Sequence, residues 1–197
     1  IGDVVQLKIN GKQAYKAAGI ANKTGYIGIQ IEVPLGGQFL LKNIHVTELG
    51  HRSLFNGKDL AGFEGAGEPA EKCWAVEDGV LVGLKTKGPW LRTKEEYEDF
   101  NLRLEYRVDA GANSGIYVRG AYEAQVVDRD SRMQGLQGVG AIFSRVKPTK
   151  NAGKPGGQWQ SYEITIVDRH ATIVLNGEKV IDNQPVIGNT NGAFQSD

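Results

Sequence analysis

From Phe100 to Val108 apolar and polar residues alternate without a break. Phe100, Leu102, Leu104, Tyr106 and Val108 fall on one face, and Asn101, Arg103, Glu105 and Arg107 on the other. Successive side chains of an extended strand point to opposite sides, so a period of two specifies a strand with one buried and one wet face. The pattern recurs at Val76–Val82 around Asp78-Gly79, at Ala141–Val146 and at Tyr162–Val167. It returns at Ala171–Leu175, which enters Asn176-Gly177 and leaves through Glu178–Ile181. Asn-Gly and Asp-Gly supply the positive φ that tight hairpin turns need. No segment sustains helical periodicity beyond a short turn near Lys94–Tyr97. With 27 glycines punctuating the chain, the expected fold is all-β, an antiparallel β-sandwich. Residues 147–158, rich in Pro, Gly and Lys, read as a long surface loop.

A chain of 197 residues holds one substantial core. Lys plus Arg number 23 and Asp plus Glu number 23, so no global field draws the chain to nucleic acid or to an anionic membrane, and neither is expected as a partner. No apolar run approaches the ~20 residues that span a bilayer. Cys73 has no second cysteine to pair with and, beside Trp74, reads as a small buried apolar residue. Trp74 and Trp159 are expected in the core. His45, His51 and His170 lie at no ligand spacing, and no Gly-rich nucleotide motif is present, so neither a metal nor a cofactor is expected. Ile1 follows no signal segment, which reads as a processed or truncated start.

The two ends of the chain resemble each other. Val4–Lys12 and Ala171–Lys179 are both apolar strands running into Asn-Gly and a charged strand start. After the first copy come the strand-like segments Gly25–Gln30 and Phe39–Val46, which the second copy lacks. Residues 1–50 therefore read as closing strands like the tail of an upstream sandwich unit, and residues 51–197 as a sandwich without its own last strands. Gly25–Leu49 are expected to complete the open sheet, because a bare edge invites aggregation. Supplying those strands from a second copy would give a strand-exchanged homo-oligomer.

Asn113–Asp128 is the chemically densest segment. A three-residue loop Gly120-Ala121-Tyr122 would pair Arg119 with Glu123 and Tyr117 with Gln125, leaving Ile116, Val118, Ala124 and Val126 on the opposite, apolar face. A bulge after Gln125 would then bring Asp128 to the side of Glu123 and Gln125.

Ser53–Phe63, Trp74–Gly79, Asp99–Glu105, the Asn113–Asp128 run, Trp159–Ile166 and Leu175–Gly177, in that order, resemble the 3-keto-disaccharide hydrolases, a family that began as a domain of unknown function. The resemblance covers nearly all of residues 51–197. It implies a concanavalin-like jelly roll acting on a saccharide or 3-keto-glycoside, exported by a bacterium to the periplasm or beyond, and often described as a candidate glycosyl hydrolase. An oxidised C3 acidifies the proton on C2, so a base can start elimination of the C1 oxygen, after which water adds. On that reading Glu123 is the base or acid, Arg119 steadies the enolate and Asp128 is a second carboxylate. Asn113, Tyr117 and Gln125 meet sugar hydroxyls, with Trp90 and Tyr122 as aromatic contacts. Two alternatives stay open. One is a two-carboxylate glycosidase, since Glu123-Ala-Gln-Val-Val-Asp128 has the shape of Glu-x-Asp-x-x-Glu with two of its acids changed. The other is a non-catalytic sugar-binding module using Trp90, Tyr97, Tyr117 and Tyr122.

Overall fold

The computed structural model describes residues 4–19, 50–84 and 90–190. The strands expected in residues 25–49, and the closure assigned to them, lie outside these residues, as does His45. The described strands are β1 (Val5–Ile9), β2 (Lys12–Ala17), β3 (Phe63–Gly65), β4 (Trp74–Glu77), β5 (Val80–Gly83), β6 (Leu91–Thr93), β7 (Phe100–Tyr106), β8 (Asn113–Val118), β9 (Tyr122–Val127), β10 (Gln160–Val167), β11 (His170–Leu175) and β12 (Glu178–Pro185). Every pairing among them is antiparallel. The fold is an antiparallel β-sandwich.

The chain divides into two compact units, Ile1–Ala61 with Glu71–Lys87, and Gly62–Ala70 with Gly88–Asp197. In the first, β4 and β5 form a hairpin whose turn residues Asp78 and Gly79 take φ of 49° and 78°. The Asn56–Ala61 stretch is a pair of side-chain-capped turns. Asn56 Oδ1 accepts from Lys58 N and Asp59 N at 2.8 and 3.0 Å, and Asp59 Oδ1 accepts from Ala61 N at 2.8 Å. Those short polar side chains stand in for strand partners the turn backbone lacks.

The second unit carries the main core. Its larger sheet runs β12-β11-β10-β7, and the alternation along each strand sends Tyr162, Ile164, Ile166, Ala171, Ile173 and Leu175 inward. Val118, Tyr122, Ala124 and Val126 of the β8–β9 hairpin belong to the same buried cluster. Tyr162 Oη reaches the carbonyl of Gln125 at 3.1 Å, a buried hydrogen bond that fixes how the hairpin sits on the larger sheet. The Lys94–Tyr97 segment is not helical, and Ala141–Val146 is not a continuous strand. It is a tight turn in which Ile142 and Val146 bond each other, with Ser144 at φ 57°. Trp159 is also at the surface rather than in the core, with the Arg107 guanidinium 5.2 Å from its ring centroid.

The sequence repeat is a repeat of conformation. Asn10 and Gly11 take φ of 51° and 79°, and Asn176 and Gly177 take 53° and 81°. The register of β1 on β2 shifts between Leu7 and Lys8, and that of β11 on β12 shifts at the aligned step, Ile173 to Val174. The environments differ. Ile173 and Leu175 are wholly buried, whereas their counterparts Leu7 and Ile9 are 51% and 58% exposed. Leu175→Ala should therefore cost about 2–5 kcal/mol in a denaturant melt, and Ile9→Ala within about 0.5 kcal/mol. Equal costs at the two positions would show that the first hairpin is packed as the second is.

Candidate active site

The turn after β8 decides the geometry of the hairpin. Arg119 and Gly120 both take positive φ, 54° and 65°, and Ala121 N closes the turn onto Val118 O at 3.2 Å. The loop is therefore Arg119-Gly120-Ala121, one residue earlier than expected, with Val118 opposite Tyr122, Tyr117 opposite Glu123 and Gly115 opposite Gln125. A one-residue displacement of a three-residue loop changes the pairing by two. It therefore leaves Tyr117, Glu123 and Gln125 on their expected face while giving each a new partner, and takes Arg119 out of the ladder into the turn.

Tyr117 takes the place opposite Glu123 that was expected for Arg119. Its Oη donates to Glu123 Oε2 at 2.9 Å, and its ring lies against Trp90 with centroids 4.5 Å apart and planes inclined at 35°. Trp90 immediately precedes β6 and remains 40% exposed. On the other flank of β9, Ala124 bridges Ile142, and Phe143 N donates to Glu123 O at 2.9 Å. That register puts Phe143 beside Glu123 on the same face. The row across the sheet is thus Tyr117, Glu123, Phe143, with Trp90 stacked on Tyr117.

Glu123 is also shaped by an absent side chain. A Cβ on Gly115 would lie 2.2 Å from Glu123 Oε1 and 2.6 Å from its Cγ, so the carboxylate occupies the space that any other residue at 115 would fill. Folded down against the sheet, the carboxyl is partly stripped of water. Desolvation raises its pKa, and the Tyr117 hydrogen bond opposes the rise without cancelling it. The Tyr117 phenol is driven upward as well, first by desolvation, then by its bond to Glu123 and the adjoining charge, and it stays protonated.

Several expected site residues do other work. Arg119 sits in the turn, where a left-handed conformation costs an L-residue about 1–2 kcal/mol, and its Nη1 donates to the carbonyl of Asp168. It does not face Glu123. Tyr122, expected on a sugar, is 1% exposed in the core, because its place opposite Val118 puts it on the apolar face. Gln125 shares the face of Glu123 but is equally buried, its Nε2 donating to Gln137 O at 3.0 Å while Oε1 has no partner among the described residues. No bulge follows Gln125, since β8 and β9 stay in register through Val127. Asp128 lies just beyond β9, where its carboxylate accepts Gly111 N at 2.8 Å and Asp130 N at 3.3 Å. Those backbone donors hold its pKa below the usual value, so it organises loops instead of serving as a second acid at Glu123. Asn113 opens β8 on the Glu123 face and is exposed. Phe143 escaped the sequence reading, although an aromatic residue out of phase with buried Ile142 and half-buried Val146 was the available signal.

The family described as the 3-keto-alpha-glucoside-1,2-lyase-like domain matches residues 50–195. The chain belongs to this family. A 3-keto-disaccharide hydrolase of Bacteroides thetaiotaomicron is 22% identical in an alignment that covers 68% of this chain. The chain spans 58% of the length of that relative. A candidate glycosyl hydrolase of Parabacteroides distasonis is similar in structure with a TM-score of 0.63 at 30% identity, over 70% of this chain and 66% of the other. A second structure of a candidate glycosyl hydrolase from the same organism gives a TM-score of 0.56 at 27% identity, over 65% and 70%.

Two outcomes test this geometry. Gly115→Ala should leave the melting temperature nearly unchanged, since the flexible end of Glu123 can yield, but should displace the carboxylate and move its titration in a carboxyl NMR experiment; an unmoved titration would refute the cradle. Because the folded pKa of Asp128 is depressed, its contribution to stability is present above the unfolded carboxyl pKa and is lost as pH falls through the folded value. The melting temperature of Asp128→Asn should accordingly lie below wild type at neutral pH and converge with it in acid.

Proposed function

We propose that this chain cleaves a 3-keto-glycoside by base-initiated elimination, with Glu123 as the base and Tyr117 as its proton partner. The observation that carries the reading is the desolvated Glu123 carboxyl, hydrogen-bonded to a neutral phenol within a row of aromatic rings. The name of the family and that of the Bacteroides relative favour 3-keto sugars as the substrate class.

Glu123 takes the proton from C2, and the C–H electron pair forms the enolate of the C3 ketone. Collapse of that enolate restores the ketone, makes the C1–C2 double bond and expels the aglycone oxygen from C1. The leaving oxygen takes its proton from Tyr117, which is replenished by the carboxylic acid now standing 2.9 Å away. The C2 proton is thus accounted for, and addition of water across C1–C2 gives the hydrolysis product. Trp90, Tyr117 and Phe143 offer apolar faces to a sugar ring, and Asn113 offers an amide at the exposed end of the hairpin. Aromatic faces alone would serve a binding module equally well; a half-buried carboxyl with a raised pKa beside a neutral phenol is what supports chemistry over binding.

The test is release of p-nitrophenol from a p-nitrophenyl 3-keto-glucoside. Glu123→Gln should lose about 10²- to 10⁴-fold in kcat, and undiminished turnover would refute the assignment. Since the base must be ionised, the acid limb of kcat/KM should fall above the ~4.3 of an ordinary glutamate. Tyr117→Phe removes the hydrogen bond that lowers the pKa of Glu123, so it should move that limb to higher pH while reducing kcat.

A further inference from the structure

The strand neighbour of β9 changes at Glu123. Beside Gln125 and Ala124 the neighbour is the segment ending at Phe143, with Gln125 N bonded to Ala141 O at 2.9 Å. The chain then turns back at Ser144, and Ile142 and Val146 bond each other instead. The N–H of Glu123 is left facing the place where a strand carbonyl would have stood. It donates to Thr190 Oγ1 at 3.1 Å, and Thr190 N donates to Ala121 O at 2.9 Å. Thr190 is 2% exposed. Arg145, on the turn that opened the gap, reaches the residues before it. Its Nε donates to Gly188 O at 3.3 Å, its Nη2 to Asn189 O, and its Nη1 to Ser144 O at 3.0 Å.

We propose that Thr190 is a positioning residue for Glu123, supplying the acceptor that the interrupted ladder lacks, and that Arg145 holds it there by gripping the carbonyls of Gly188 and Asn189. The proposal rests on the reading of Glu123 as the base. A hydroxyl is required because Thr190 has to accept from one strand backbone while its own N–H donates to the same strand two residues away. Valine has the same shape and no acceptor. Without one, the Glu123 N–H turns toward water, and the carboxylate lifts from Gly115 and Tyr117.

The experiment compares wild type, Thr190→Val, Thr190→Ser and Glu123→Gln on the same p-nitrophenyl 3-keto-glucoside across pH, with the Glu123 carboxyl followed by NMR. Thr190→Val should lower kcat by roughly ten- to a hundredfold, in keeping with the cost of a small displacement of a catalytic group, with KM changed less than about twofold. It should also shift the Glu123 titration and the acid limb to lower pH, because a carboxylate that regains water ionises more easily. Thr190→Ser should restore both. Wild-type kcat and an unmoved titration in Thr190→Val would overturn the proposal, as would a serine variant that behaves like valine. Full activity in Glu123→Gln would instead remove the reading of the base, and the NMR titration reports on the placement of Glu123 without turnover. If Thr190→Val fails to fold, Arg145→Gln at the surface carries the test, with the same downward shift expected and an unmoved titration overturning the proposal.

Discussion

The hydrogen bond from Tyr117 to Glu123 is the contact on which the proposed chemistry turns. A carboxylate on a sheet face is ordinarily solvated and weakly basic. An arginine opposite it would make it weaker still, since a fixed cation within a few ångströms favours the ionised carboxylate and lowers its pKa. A phenol supplies a donor without a charge, so desolvation remains the larger influence and the pKa of Glu123 rises. The two-residue difference between the expected and the observed pairing of β8 and β9 therefore separates an ion pair from a carboxyl hydrogen-bonded to a neutral phenol. It also leaves the Arg119 guanidinium on the carbonyl of Asp168 rather than opposite Glu123.

Holding that contact requires a rigid support, which the second unit provides from both sides of the sheet. Beneath the hairpin, Val118, Tyr122, Ala124 and Val126 interlock with Ile164, Ile166, Ile173 and Leu175, and Tyr162 ties the larger sheet to the carbonyl of Gln125. Along the strand, the N–H and C=O of Glu123 are both engaged, by Thr190 and by Phe143. Above it, Gly115 leaves room for the carboxyl to lie flat. Each of these constraints removes a motion that would carry the carboxylate into water, and together they keep it where solvation is poor.

Much of this was legible in the chain and some was not, for identifiable reasons. Strand faces were legible because a period of two survives any even shift of register, which is why Tyr117, Glu123 and Gln125 share a face as expected. Register was not, because the turn was settled by Arg119 adopting a conformation that glycine favours, a choice no local pattern announces. Alternation gives a direction but not a depth. Gln125 points the same way as Glu123 yet is covered by the loop that carries Gln137, and Asp128 is taken up by the backbone donors of Gly111 and Asp130. Thr190 stands 67 residues from Glu123 in the chain, and nothing near either residue in the sequence points to the other.

The repeated hairpin separates these two kinds of information within one molecule. Val5–Ile9 and Ala171–Leu175 enter the same positive-φ turn and carry the same displacement of register, so the short sequence is enough to set the local backbone. It does not set what lies against that backbone: Ile173 and Leu175 sit in the core while Leu7 and Ile9 remain in water. The candidate site obeys the same division. Local pattern delivers a carboxylate to one face of a hairpin, but what surrounds that hairpin, Trp90 against Tyr117 and Phe143 and Thr190 on the backbone of Glu123, comes from elsewhere in the chain. An elimination needs one such base and a proton donor, whereas double displacement needs two opposed carboxylates. Because the hairpin gives Glu123 a phenol while Asp128 is held by the backbone donors of Gly111 and Asp130, this arrangement favours the elimination.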